Sequence, residues 1–230
     1  IVFGLLLFVC ITAWMISNKR RIKKLVDSES ILAQVKFLKK SVVMGSLFGF
    51  FSYLPFIFGN PTMSLLHTLE LFRLSLLCFL LLPFLTQQGK VLWFSLCGIW
   101  IFYAIDDVLL DSAFGERWAL FFIGVILLFL CIKIIRNKGN LLIGVDFSLA
   151  TKALVIFSIA QIILSLVFNL TGRLSLAKIF GVSAVQCLVL GASLKVFCSI
   201  VVEAIYLQTE AYQSSRFSDF INFEELQHRL

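Results

Sequence analysis

The sequence predicts an all-α integral membrane protein of about seven transmembrane helices, with its N-terminus outside and its C-terminus in the cytoplasm. Three observations carry this. Hydrophobic residues make up 60% of the chain, charged residues 14%, and the mean hydropathy is +1.00; soluble domains hold about half apolar and about a quarter charged residues. The apolar residues gather into stretches near the ~20 residues that a helix needs to cross a bilayer. The positive charges sort to one side of those stretches.

In chain order, the spans are Ile1–Ser17, Ser41–Phe58, Ser64–Thr86, Val91–Leu110, Trp118–Ile135, Ala153–Leu170 and a long one within Ile179–Leu207. Barrel strands do not fit, because the runs are too long and lack alternation. The chain begins Ile-Val-Phe inside an apolar run and ends inside the start of a helix at Leu230, and so reads as part of a longer protein. Cys10, Cys78, Cys97, Cys131, Cys187 and Cys198 all lie in apolar runs without metal-ligand spacing. They read as small buried hydrophobes and not as a disulfide or zinc framework.

Orientation follows from lysine and arginine. Alternate connections share a side of the membrane; one side collects 15 of the 20 basic residues and the other 3, with Arg73 and Lys195 inside spans. Positive charge marks the cytoplasmic side. The net charge of +7 is therefore a topology signal, and no nucleic-acid partner is expected. The organisation reads as a first transmembrane helix (1–17), a basic interfacial segment (18–40), a six-helix membrane bundle (41–208) and a cytoplasmic tail (209–230). Asn222 and Glu225 make a capping box that opens a further helix in that tail.

Within the interfacial segment, Ile22, Leu25, Val26, Leu32, Val35 and Leu38 can share one helical face, with lysines around it. This pattern fits an amphipathic helix on the cytoplasmic leaflet, held by apolar burial and anionic lipid. Lys19, Arg20, Arg21, Lys23 and Lys24 are its expected lipid contacts. Leu141–Ala150 is a second, shorter candidate of this type.

Ionisable residues inside spans mark candidate sites. His67, Glu70 and Arg73 follow at helical spacing on the third span, so Glu70 and Arg73 can pair. Asp106 and Asp107 sit near the outer end of the fourth span, with Asp111 beyond, and a bridge from Arg73 to Asp106 or Asp107 is geometrically reasonable. Lys195 and Glu203 lie two turns apart on the last span; Glu203, near its cytoplasmic end, is expected to snorkel to water. Asn169-Leu170-Thr171 forms a glycosylation sequon. No zincin, phosphate-loop or nucleophile-elbow motif occurs, so no catalytic residue, metal or cofactor is expected.

The most distinctive residues are Gly172–Gly181 (GRLSLAKIFG), Val202–Glu210 (VEAIYLQTE), Ser215–Ser218 (SRFS) and Phe223–Leu230 (FEELQHRL), together with the Phe114–Trp118 turn (FGERW). Over residues 60–230 the chain resembles the membrane region preceding the pore module in large, many-helix bacterial members of the small-conductance mechanosensitive channel superfamily. The resemblance implies a lipid-contacting outer paddle, in a homo-oligomer joined through a pore module outside these residues, in a bacterial cytoplasmic (inner) membrane. The family's Gly/Ala-rich pore helix and soluble domain are not among these residues, so no pore position carries over.

Three functions are therefore in play. The first is the peripheral tension-sensing region of a mechanosensitive channel. The second is a transporter or lipid-handling permease using Arg73, Asp106, Asp107 and Lys195. The third, a magnesium-dependent membrane enzyme built on Asp106, Asp107 and Asp111, lacks the second Asp-rich motif such enzymes use. The expectation is a non-enzymatic membrane protein whose partners are lipids and copies of itself.

Overall fold

The computed structural model describes residues 2–23, 28–58, 62–109, 114–136 and 149–212. Those residues are almost wholly helical. In order they form α1 (Val2–Ile22), α2 (Ser28–Gln34), α3 (Phe37–Lys40), α4 (Val42–Ile57), α5 (Met63–Leu81), a 3-10 turn (Leu82–Phe84), α6 (Gln87–Leu109), α7 (Phe114–Arg136), α8 (Leu149–Leu170) and α9 (Leu174–Tyr212). Five segments are long and apolar enough to cross a membrane: Leu65–Phe84, Gln87–Asp106, Gly115–Arg136, Leu149–Leu170 and Leu174–Ala211.

Several expectations from sequence change in detail. The Phe114–Trp118 turn is the first turn of α7. Lys178, counted in a connection, lies on α9, which runs for 39 residues, nearly twice the ~20 a crossing needs. The basic segment 18–40 is not one helix; it is the end of α1 followed by α2 and α3. Leu25 and Val26, Lys24, Asp111, most of Leu141–Ala150 and the tail with Asn222 and Glu225 lie outside the described residues.

Local chemistry sets the boundaries. Ser41 caps α4, its hydroxyl accepting from the Met44 amide at 3.3 Å, and Thr86 caps α6 by accepting from the Gly89 amide at 3.1 Å. α8 ends in a Schellman turn. The Arg173 amide donates to the Phe168 carbonyl, the Gly172 amide donates to the Asn169 carbonyl, and Gly172 has φ +80°. A side chain is strained at that φ, so glycine is what lets α9 begin two residues later.

The chain forms two compact units, 1–81 with 193–230 and 82–192. In the first, α4 packs on α1, α3 and α5. Phe50 anchors an aromatic seam with Phe8, Phe51 and Tyr53, and Phe51 stacks on Phe72 with ring centres 5.6 Å apart. Phe48, Ile22, Leu38 and Leu77 are fully buried.

In the second unit, α7 packs on α8 and α6. α8 turns polar residues inward and large apolar residues outward. Its buried stripe is Val155, Ser158, Ile162, Ser165 and Asn169, while Ile156, Phe157, Ile163, Leu164, Val167 and Leu170 are exposed. A water-soluble helix has the opposite sense. Small and polar residues on the inner face with large apolar residues outside is the membrane arrangement.

α9 approaches α6 at Gly181. A Cβ there would stand 2.5 Å from the Tyr103 hydroxyl and 3.2 Å from the Ser165 Oγ. Gly181→Ala should therefore cost about 1–3 kcal/mol by overpacking. The Gly181→Ala/Tyr103→Phe double variant, which removes the clashing oxygen, should recover part of that loss. Thermal unfolding of the detergent-solubilised protein reads both, and an unchanged melting temperature for Gly181→Ala would remove the close approach.

Candidate functional site

Two polar constellations stand out, one in each unit. In the 82–192 unit, Asp106 sits in the last turns of α6, Glu116 in the first turn of α7 and Lys178 near the start of α9. The Lys178 Nζ lies 2.8 Å from Asp106 Oδ2 and 3.7 Å from Glu116 Oε1, and it donates to the Asp106 carbonyl at 3.2 Å. The Asp106 side chain is 0% exposed and that of Glu116 6%.

The helix ends explain part of this arrangement. Glu116 benefits from the positive N-terminal end of α7, while Asp106 stands at the negative C-terminal end of α6 and depends on the ammonium for compensation. The formal charge of the three is −1, and Asp106 Oδ1 and Glu116 Oε2 are buried without a hydrogen-bond partner among the described residues.

Neighbouring polar groups tie the same helix ends together. Asn169 Nδ2 donates to the Arg117 carbonyl at 2.9 Å, the Arg117 guanidinium donates to the Leu170 carbonyl at 3.1 Å, and the Ser165 hydroxyl donates to the Ala177 carbonyl at 2.6 Å. Asn169 is 3% exposed with its amide engaged, so the sequon is closed to glycosylation.

In the other unit the centre is Glu203 on α9. Its carboxylate accepts from the backbone amides of Lys36 (2.8 Å), Phe37 (3.0 Å to each oxygen) and Leu38 (2.8 Å). These are the amides that the start of α3 leaves without helical partners. The far end of α3 is held by Lys19, whose Nζ donates to the Leu38 carbonyl at 2.7 Å and the Lys39 carbonyl at 2.9 Å. Burial lowers the Lys19 ammonium below the ordinary lysine range, and the Lys23 charge adds to that. Glu203 does not snorkel: it is 2% exposed.

The remaining site residues fall as follows. Arg73 and Glu70 meet at 4.0 Å on α5, with the Arg73 side chain 10% exposed. Asp106 takes Lys178 as its partner, where the sequence had offered Arg73. The Asp107 side chain and Lys24 lie outside the described positions. Lys195 is half-buried on α9, and its carbonyl accepts from the Ser199 hydroxyl at 3.0 Å. Among the expected lipid contacts Arg20, Arg21 and Lys23 are exposed, whereas the Lys19 ammonium is bound to protein carbonyls. Lys40 adds one more contact, its Nζ 4.0 Å above the Phe79 ring. No group of His, Cys, Asp or Glu among the described residues has a metal-binding arrangement.

Both constellations escaped the sequence reading. Lys178 fell in a connection because the last apolar span was bounded at Ile179, whereas the helix restarts at Leu174, two residues after the Schellman glycine. Glu203 had no visible partner because its partners are backbone amides, which leave no mark in side-chain patterns. Comparison with protein-family models, with curated proteins and with solved structures finds no match to this chain.

Removing one member of a buried ion cluster strands the others, at about 3–5 kcal/mol. Lys178→Met should therefore lower the melting temperature sharply, and Lys178→Met/Asp106→Asn should regain much of the loss. Equal damage from the single and the double change would show that the lysine matters only for its packing.

Proposed function

We propose that this chain is the peripheral, lipid-contacting, tension-sensing membrane region of an ion channel of the small-conductance mechanosensitive superfamily. In this reading it crosses a bacterial cytoplasmic membrane seven times, N-terminus outside and C-terminus inside. The pore is formed elsewhere in the channel, and the subunits assemble through it. The 15-to-3 sorting of basic residues supports the orientation. The large apolar residues exposed on α5 to α9 support extensive lipid contact.

The observation that carries the reading is the Glu203 clasp. It ties the basic segment 18–40 to the last long helix through backbone amides. A surface segment anchored in the leaflet and fastened to a transmembrane helix is a route by which membrane area acts on that helix. Tension shifts a conformational equilibrium only through a difference between the two states, here the area each occupies. The clasp turns a change at the lipid surface into a change at α9. No residue has a catalytic role in this reading.

Patch-clamp recording from membranes carrying the full-length gene product tests it directly. A conductance opened by suction is expected, with its threshold shifted in Glu203→Gln, which keeps the side-chain size and removes the charge from the clasp. A membrane that carries the protein and shows no tension-activated conductance would overturn the reading.

A second reading, an ion or lipid transporter using Arg73, Asp106, Asp107 and Lys195, is favoured by one observation. Among the described residues, the Asp106–Glu116–Lys178 cluster sets two buried carboxylates against one ammonium. Under that reading Asp106→Asn abolishes uptake in reconstituted vesicles while helix content by circular dichroism is unchanged; uptake at the wild-type rate would remove it.

A further inference from the structure

Asn18 shares the buried face of α1 with Met15 and Ile22 and is 2% exposed. Neither its Nδ2 nor its Oδ1 meets a hydrogen-bond partner among the described residues. A carboxamide carries two donors and an acceptor, and burying them without protein partners is a cost that the packing around it must offset. The next residue has the opposite character. The Lys19 Nζ donates to the Leu38 and Lys39 carbonyls at 2.7 and 2.9 Å and so fixes α1 to α3.

Helix geometry decides which movement relieves the amide. A slide of one turn toward the cytoplasmic end carries Asn18 to the place of Ile22, which is 0% exposed. A roll is different. Arg21, three residues on and so about 60° round the helix on the side away from Met15 and Ile22, is exposed. Rolling α1 by that angle brings the Asn18 amide to an exposed position beside the basic end of the helix. The contacts of α1 with α4 yield to such a roll: Phe8 meets Phe50 ring to ring at 5.2 Å, and the flexible Met15 accepts from the Ser46 hydroxyl at 3.3 Å. The Lys19 bonds do not yield, because the same roll turns the lysine stem away from the α3 carbonyls.

We propose that α1 is a sprung element: the unpaired Asn18 amide biases it to roll, and the Lys19 bonds to α3 latch it in the packed state. Release of the latch frees the C-terminal end of α3, whose N-terminal amides Glu203 holds from α9. The use of this roll in tension sensing rests on the reading above; the roll itself does not. An asparagine kept only to fix the register of α1 on α4 would hold a partner there.

The test uses the full-length protein in nanodiscs and reads thermal unfolding together with amide hydrogen exchange by mass spectrometry. Asn18→Leu, of similar volume and without polar atoms, should raise the melting temperature by about 2–6 °C. It should also slow exchange in α3 severalfold and leave α8 unchanged. Asn18→Ala, which cannot overpack, should raise the melting temperature less. Lys19→Met should speed exchange in α3 severalfold, and Asn18→Leu/Lys19→Met should return it toward the wild type. A melting temperature that neither Asn18 variant raises would mean that the packed state satisfies the amide, and α3 exchange that ignores Asn18→Leu would mean that the amide is not linked to the latch; either overturns the proposal. In patch-clamp recording Asn18→Leu should raise the tension threshold. The exchange pattern is independent of conductance, so a silent protein that keeps it would sink the channel reading alone.

Discussion

A helix lying against hydrocarbon has no water to complete its hydrogen bonds, so every polar group it carries must find a partner inside the protein. In the second unit the inward polar residues of α8 each answer this constraint with a protein partner. α8 turns Ser158, Ser165 and Asn169 inward and leaves Ile, Leu, Val and Phe outside. Ser158 donates to its own helix at Leu154, Ser165 to Ala177 on α9, and Asn169 to Arg117 on α7. The last two of these bonds cross to a different helix. The polar groups that lipid cannot solvate thus become the fastenings between helices.

Such fastenings matter more here than in water. Lipid tails are as apolar as leucine, so burying Leu against Leu gives little drive for helices to associate. Close approach and polar contacts supply the specificity instead. Gly45 lets α4 come near Leu38 of α3 and Ile200 of α9, and Gly124 lets α7 come near Leu166 of α8. An ion cluster adds register, because Lys178 must stand beside Asp106 and Glu116 together. A slip of α9 by one residue would move its ammonium about 1.5 Å along the axis and 100° around it, away from both carboxylates.

The helices were legible in the sequence because hydropathy over twenty residues is a strong signal that packing does not reverse. The expected span Val91–Leu110 is α6 at Gln87–Leu109, and Ala153–Leu170 is α8 at Leu149–Leu170. The polar sites were less legible. Glu70 and Arg73 are neighbours on one helix, so spacing alone brings them near each other. Asp106 and Lys178 are 72 positions apart, and nothing in their local sequence links them. The amphipathic face of segment 18–40 was ambiguous in a different way. Ile22, Val35 and Leu38 do form a buried set, but they are buried in protein at 0%, 1% and 0% exposure, where the sequence offered lipid. An apolar stripe has the same pattern whichever apolar medium covers it.

That ambiguity bears on how the segment behaves mechanically. α3 has four residues, far too few to form alone, since even good helix-forming peptides are marginal below about 12–15 residues. Its shape is imposed from outside. A carboxylate stands at its N-terminal end and an ammonium at its C-terminal end, each opposite in sign to the helix charge it meets. Because the carboxylate belongs to α9 and the ammonium to α1, α3 is not an independent float on the membrane surface. It is a strut between two long helices, and Leu38, wholly buried between its two clasps, fixes its roll. Any displacement of α1 relative to α9 must therefore either break charge-assisted hydrogen bonds or carry the Glu203 end of α9 with it. Three backbone amides on one buried carboxylate, with desolvation opposing their release, make the clasp costly to break.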